Sequence, residues 1–333
     1  MNKPIDFVIT WVDGNDPKWL EKKKKYNNES SSKESNKIYR YRDWGLLKYW
    51  FRCVDKFAPW VNRIFLITDH QIPEWINLNN EKLVLINHED YIPSDYLPTF
   101  NSNVIELFIN RIEGLSDNFV YFNDDMFITD YVDEKYFFIN DTPRDSFVYN
   151  AVSVFKENSI IEHSILNNLE LLSNEFSKKE VDKKNFIKIY NLLYGKHLIR
   201  NVLLKGWKGF TGIYNPHTAI SYNKKSFDYL WNKYSDEFYK TASHKYRDKN
   251  DINHWIVRYY QLLSGYFIPR KLNKQKYYSL TNDNSAFLTN VYKRKYKMIC
   301  INDNDDSINY DFVKKQLLEY FEKIVNEKSG FEK

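Results

Sequence analysis

The chain has 333 residues, 49 basic against 44 acidic side chains (net charge +5), and 43% hydrophobic and 18% aromatic residues. That length supports one large domain or two closely packed ones with an ample core, and the composition excludes a disordered or fibrous chain. The modest charge carries no basic stripe, which speaks against a nucleic-acid partner. Two distant cysteines, Cys53 and Cys300, exclude a disulfide scaffold and fit a reducing compartment.

Residues Ile5 to Val12 read as a buried strand that stops at the turn cluster DGNDP. Lys22 to Lys25 read as a solvated helix end, with anionic lipid headgroups or a phosphate-bearing glycan as the alternative contact. The run NNESSSKESNK (27 to 37) reads as a mobile loop. From Asp43 the spacing of Leu46, Leu47, Trp50, Val54 and Phe57 predicts a helix ending near Ala58-Pro59. Strands follow at Arg63 to Thr68, Lys82 to Ile86 and Phe119 to Phe122, with a helix at Asn103 to Arg111. Strands alternating with helices predict an α/β sheet over residues 1–150.

Beyond that point Ile160 to Leu172 and Asn185 to Leu193 read as helices with lysine-rich joints, a helical insertion over 151–205. Residues 206–333 complete a single catalytic unit, with helices at Ser226 to Tyr239, Asp251 to Leu263 and Tyr310 to Asn326, the last amphipathic enough to dock on the body. The N-terminus reads as a poor signal peptide, and no stretch reaches the ~18 to 20 apolar residues of a membrane span. A cytoplasmic protein is expected, with any membrane contact peripheral.

Two acidic clusters, Asp13 with Asp16 and Asp124 with Asp125, directly follow predicted strands. Ligands of open α/β sheets gather at the carboxyl ends of strands, so one shared cleft is expected. Adjacent carboxylates there suit a hard divalent cation bridging phosphates; the plainer reading is a turn at Asn123-Asp124 with Asp125 as a helix cap. His217 offers a titratable base and Arg247 a fixed charge for phosphate. No phosphate-binding glycine loop, dinucleotide fingerprint or serine-nucleophile elbow is present.

These signals join in a resemblance. The blocks IDFVITWVDGNDPKW (5 to 19), RYRDWGLLKYWFRCVDKFAPWVNRIFLIT (40 to 68), LPTFNSNVIELFINRIEGLSDNFVYFNDDMF (97 to 127), NPHTAISY (215 to 222), SHKYRDKNDINHWIVRYYQLLSG (243 to 265) and ICIND (299 to 303) resemble, in order, those of the Stealth family. That family includes bacterial capsule and exopolysaccharide phosphotransferases and is similar to the catalytic part of animal N-acetylglucosamine-1-phosphotransferase. The resemblance implies a glycosyltransferase-A-like α/β core with helical additions, and transfer of a sugar-1-phosphate from a UDP-sugar to a hydroxyl of an oligosaccharide or lipid-linked glycan. It implies a donor-binding floor of Trp11, Asp13, Asp16, Arg40, Asp43, Asn101, Asn123, Asp251 and Asn302. It further implies catalytic Asp124, Asp125, His217 and Arg247, and Mg²⁺ or Mn²⁺ on Asp125 with Asp124 and Asp303. The animal enzyme departs at Asp13 and Arg42, so neither is indispensable. His217 is the expected base and Asp124 its rival. The alternatives are a glycosyltransferase moving only the sugar and a non-catalytic glycan-binding protein.

Overall fold

The computed structural model describes residues 3–26, 42–153, 160–303 and 307–333. Arg40 and the 27–37 loop lie outside them.

Strand β1 (Ile5–Thr10) is buried on both faces, as a parallel strand covered on both sides is, and its one charged residue, Asp6, accepts from Asn62, Arg63 and Ser116. Helix α1 (Pro17–Lys25) follows, with Pro17 in its first turn and the Asp16 side chain capping it. Helix α2 (Leu47–Phe57), β2 (Ile64–Thr68), β3 (Leu83–Asn87), α3 (Ser102–Leu107) and β4 (Asn118–Asn123) complete the first part of the α/β core. Short strands β5 (Met126–Ile128), β6 (Phe138–Ile139) and β7 (Thr142–Asp145) come next. Helices α4 (Ile160–Ser173), α5 (Lys178–Lys184), α6 (Phe186–Ile189) and α7 (Leu198–Leu203) precede β8 (Ile220–Asn223). The chain continues through α8 (Lys224–Lys233), α9 (Ser235–Ala242), α10 (Trp255–Ser264), β9 (Ile268–Pro269), β10 (Gln275–Ser279), α11 (Ser285–Tyr292), β11 (Met298–Asn302) and α12 (Tyr310–Ile324).

The main sheet has the order β3-β2-β1-β4-β8, parallel except for β8. Alternation along β1 sends Phe7 and Ile9 into one core and Val8 into another. The first core is closed by α2 and α12, whose Val313, Leu317, Phe321 and Ile324 form the buried stripe. The second is closed by α8, α9 and α10. A small sheet, β10-β11-β5, hangs below β4 and pairs β11 antiparallel with β5. This is an α/β core with helical additions, as expected.

Several expected helices differ in detail: the one expected over Asn103 to Arg111 ends at Leu107 and passes into a 3-10 turn over Ile109–Arg111. The helix expected over Asn185 to Leu193 ends at Ile189, and a 3-10 turn bends at Gly195 (φ +54°) before α7. The one expected over Ser226 to Tyr239 is two, broken at Tyr234, which leaves helical geometry. The one expected from Asp251 starts at Trp255, because Asp251 accepts from the Asp248 N–H and Asn253 from the Trp255 N–H. Such local side-chain bonds compete with the helix.

Candidate active site

Strand order reverses direction between β1 and β4, and the two are in register, Thr10 beside Asn123. Ligands of open α/β sheets bind outside the carboxyl ends at such a switch point. Trp11 to Asp16 leave one strand there and Asp124 with Asp125 the other. Asp43 joins them from the second block: its carboxyl is raised by burial, against the Gly45 N–H and Lys314, and Asp13 adds to the rise. The Trp11 indole N–H faces Asp43 just outside ordinary hydrogen-bond geometry.

Asp125 is held from below by β11. Its carbonyl accepts the Ile301 N–H at 2.8 Å, and its Oδ2 accepts the Cys300 S–H at 3.1 Å. Burial, then Asp125, pushes the Cys300 thiol well up, so it remains a donor. Among the described residues, Asp125 Oδ1 is buried without a hydrogen-bond partner. His217 Nε2 stands 3.9 Å from Asp125 Oδ2. The His217 backbone lies in the left-handed region (φ +49°), with its N–H on Asn215 Oδ1, and Tyr277 and Trp255 meet its ring edge-on. The buried Arg258 pairs bidentately with Asp145 and reaches the Tyr214 carbonyl, fixing the segment that carries His217.

Asp124 is exposed to solvent; desolvation by the protein around it, then the charges of Asp125 and Asp43, pushes its carboxyl up to about 8. Water reaching the side chain screens part of this rise.

Arg247 approaches from the loop after α9 and donates to the Ser102 hydroxyl at the start of α3. Ser102 in turn bonds Glu106, one helical turn on. Glu106 is buried, and burial pushes its carboxyl up to about 7 against the Arg247 charge and the Tyr121 and Ser102 hydroxyls. Tyr121 Oη lies 3.1 Å from Glu106 and 2.7 Å from Asn123 Oδ1. His254 Nε2 lies 3.6 Å from Glu106; burial, then the His217 and arginine charges, holds this imidazole down to about 3.

The structure therefore gathers Asp43, Asn123, Asp124, Asp125 and His217 at one cleft, with Arg247 on its α3 side. Other expected residues take different places. Asn101 and Asp251 are fully buried. Asn101 donates to Asp251 Oδ2 at 2.8 Å, and Asp251 Oδ1 meets His244 at 2.7 Å. Both shape the loop that presents Arg247 and offer no surface to a donor. Asp16 accepts from Lys18 N–H and Gln71, and Asp13 accepts from Asn15 N–H, so these carboxylates fold their loop. Asn302 donates to Tyr277 Oη at 2.7 Å. Asp303 pairs with Arg42 at 3.3 Å.

Among the described residues, the group of three side chains with ligand atoms within 4.8 Å of one another is Asp125, His217 and Cys300; Asp124 and Asp303 fall outside it. A protonated thiol is a poor ligand for a hard cation. The open Oδ1 of Asp125 fits one, because Mg²⁺ is commonly held by one or two carboxylates and the substrate's phosphates. Residues the sequence reading missed are Ser102, Glu106, Tyr277 and Cys300. Ser102 and Glu106 were legible as a pair four apart on one helix face, and Cys300 as the face-mate of Asn302 on a strand.

Residues 3–31, 40–146 and 216–260 match Stealth protein conserved regions 1, 2 and 3. The chain is 45% identical over 330 residues to the capsular polysaccharide phosphotransferase WcwK of Streptococcus pneumoniae, covering 99% of this chain and 98% of that one. It is 41% identical to the exopolysaccharide phosphotransferase cps2G of Lactiplantibacillus plantarum, covering 99% and 96%. It is 35% identical to the receptor polysaccharide phosphotransferase WefC of Streptococcus oralis, covering all of both chains. A solved bifunctional glycosyltransferase, WbbM in its apo form, is similar with a TM-score of 0.39 at 12% identity; the match covers 98% of this chain and spans half of that one.

Proposed function

Because the chain belongs to the Stealth family and is a sugar-phosphate transferase, we propose that it moves a hexose- or N-acetylhexosamine-1-phosphate from a UDP-sugar to a glycan hydroxyl in capsule or exopolysaccharide synthesis. The observation that carries this reading is a carboxylate with one bare buried oxygen, 3.9 Å from an imidazole, at the sheet's switch point.

The acceptor oxygen bonds to the phosphorus nearest the sugar, the phosphorus–oxygen bond to UMP breaks, and the sugar C1–O bond stays intact. His217 takes the hydroxyl proton. Arg247 offsets charge on the transferring phosphoryl oxygens. Asp125, with Asp124 or Asp303 as helpers, would hold Mg²⁺ or Mn²⁺, which when bound offsets the charge of the pyrophosphate. Asp124, with its raised carboxyl, is the rival base. The negative charge of Asp13 and Asp125 would repel a donor pyrophosphate, which supports a cation-loaded donor as the form that enters.

The test is mass spectrometry of products after incubation with UDP-sugars, Mg²⁺ and oligosaccharides. UMP with a phosphodiester-bearing glycan is expected. UDP with a phosphorus-free glycan would replace this reading with simple sugar transfer.

A further inference from the structure

Most exposed apolar side chains among the described residues are scattered, but Phe186 and six others fall between α6 and the segment after α7: Ile187 (80% exposed), Leu192 (85%), Ile199, Val202, Leu203 (68%) and Trp207. They are not a core left unfilled, because the inner side of the same stretch is already fixed. Val181, Ile189 and Tyr194 are buried. Asn201 accepts from the Tyr149 N–H at 2.6 Å and donates to the Phe147 and Ile189 carbonyls. Asn185 donates to the Leu263 carbonyl, and Lys188 to those of Gly265 and Phe267. The ammonium of Lys205 sits over the Phe186 and Tyr190 rings, joining the two ends of the stretch. The apolar side chains are therefore displayed outward on a braced platform, a cost in water that a soluble surface has no reason to bear.

Charge names the occupant. From residue 178 to 208 the sequence has nine basic residues against two acidic, a local charge of +7. The whole chain carries +5, so the remainder is net negative. Exposed Lys183, Lys184, Lys196, Lys205 and Lys208 flank these apolar residues along the chain. Apolar and indole side chains flanked by lysines are what an anionic lipid–water interface takes up: the hydrocarbon boundary receives the former and the headgroup charge the latter. A positive stretch of this kind would oppose a second copy of itself.

We propose that the outward side of residues 186–208 docks the protein on an anionic phospholipid bilayer. This surface is separate from the catalytic cleft, and its failure would leave the proposed reaction standing. The test is flotation of the full-length protein with vesicles of phosphatidylglycerol and phosphatidylcholine in equal parts, against phosphatidylcholine alone. Binding to the anionic vesicles is expected to be at least about tenfold stronger and to weaken with salt. Leu192→Ser, Leu203→Ser and Trp207→Ser together are expected to lower it by about tenfold or more, with the melting transition and donor turnover on a water-soluble acceptor unchanged. Each of Lys183→Gln, Lys184→Gln and Lys196→Gln should weaken it by roughly fivefold. The proposal is overturned if wild-type protein does not float with the anionic vesicles, or if the triple serine variant floats as well as wild type. It is also overturned if sedimentation shows a wild-type dimer that the serine variant loses while vesicles bind neither.

Discussion

Two strand-end corners of this molecule start from the same chemistry and end differently. The corner after β1 has Asp13 and Asp16, and their oxygens accept from Asn15, Lys18 and Gln71; the Gln71 bond above all lowers the Asp16 carboxyl. The corner after β4 has Asp124 and Asp125, where one carboxyl is raised and the other keeps a buried oxygen without a hydrogen bond. Hydrogen bonds from the chain's own N–H groups turn an acid into a fold element. Withholding them leaves an acid whose solvation is completed by something else.

The largest expected effect lies at the β4 corner. Asp125→Asn should lower turnover by roughly a thousandfold with an unchanged melting transition; activity within tenfold of wild type would erase the contrast between the corners. Next comes Arg247→Lys, which keeps the charge but loses the guanidinium fork, and should cost roughly a hundredfold in kcat with little change in donor KM. A KM effect alone would make Arg247 a binding group.

Glu106 sharpens the comparison through pH. Its folded pKa of about 7 stands above the ordinary 4.5, so between those values the folded state holds a proton that the unfolded state has released. Stability therefore falls as pH rises through that window. Glu106→Gln should be more stable than wild type at pH 8, by on the order of 2 kcal/mol, with the difference gone below pH 4.5. Denaturant titrations at both pH values would show it, and no gap at pH 8 would mean that Arg247 compensates the buried charge in full. The smallest effect belongs to the β1 corner: Asp16→Ala should destabilise by about 1 kcal/mol through loss of the α1 cap, leaving turnover within about twofold.

The parallel strands were legible because buried strands write themselves as short apolar runs, and β1 to β4 fall within two residues of their expected bounds. The acidic pair was legible for the same reason, since Asp124 follows such a run. The division of labour was not. Nothing in the local pattern tells Asp16, a cap, from Asp125, because the difference lies in what comes from elsewhere: Gln71 for one, Cys300 and Ile301 for the other. The place of Asn101 and Asp251 was hidden for a similar reason. Their bond spans 150 residues of sequence, and only the folded loop reveals that each satisfies the other. Glu106 escaped notice because its one local signal, the spacing from Ser102, does not tell a buried carboxylate from a solvated one.

The antiparallel seam between β5 and β11 has a consequence for biosynthesis. Asp125 is braced by a thiol 175 residues further along, so a nascent chain that has already emerged with its large sheet still has an unbraced reacting centre. Competence arrives only when the ribosome has translated past residue 301. A chain terminated early would lack both that brace and α12, the helix that closes the first core, so the last thirty or so residues complete the fold and the acidic corner together.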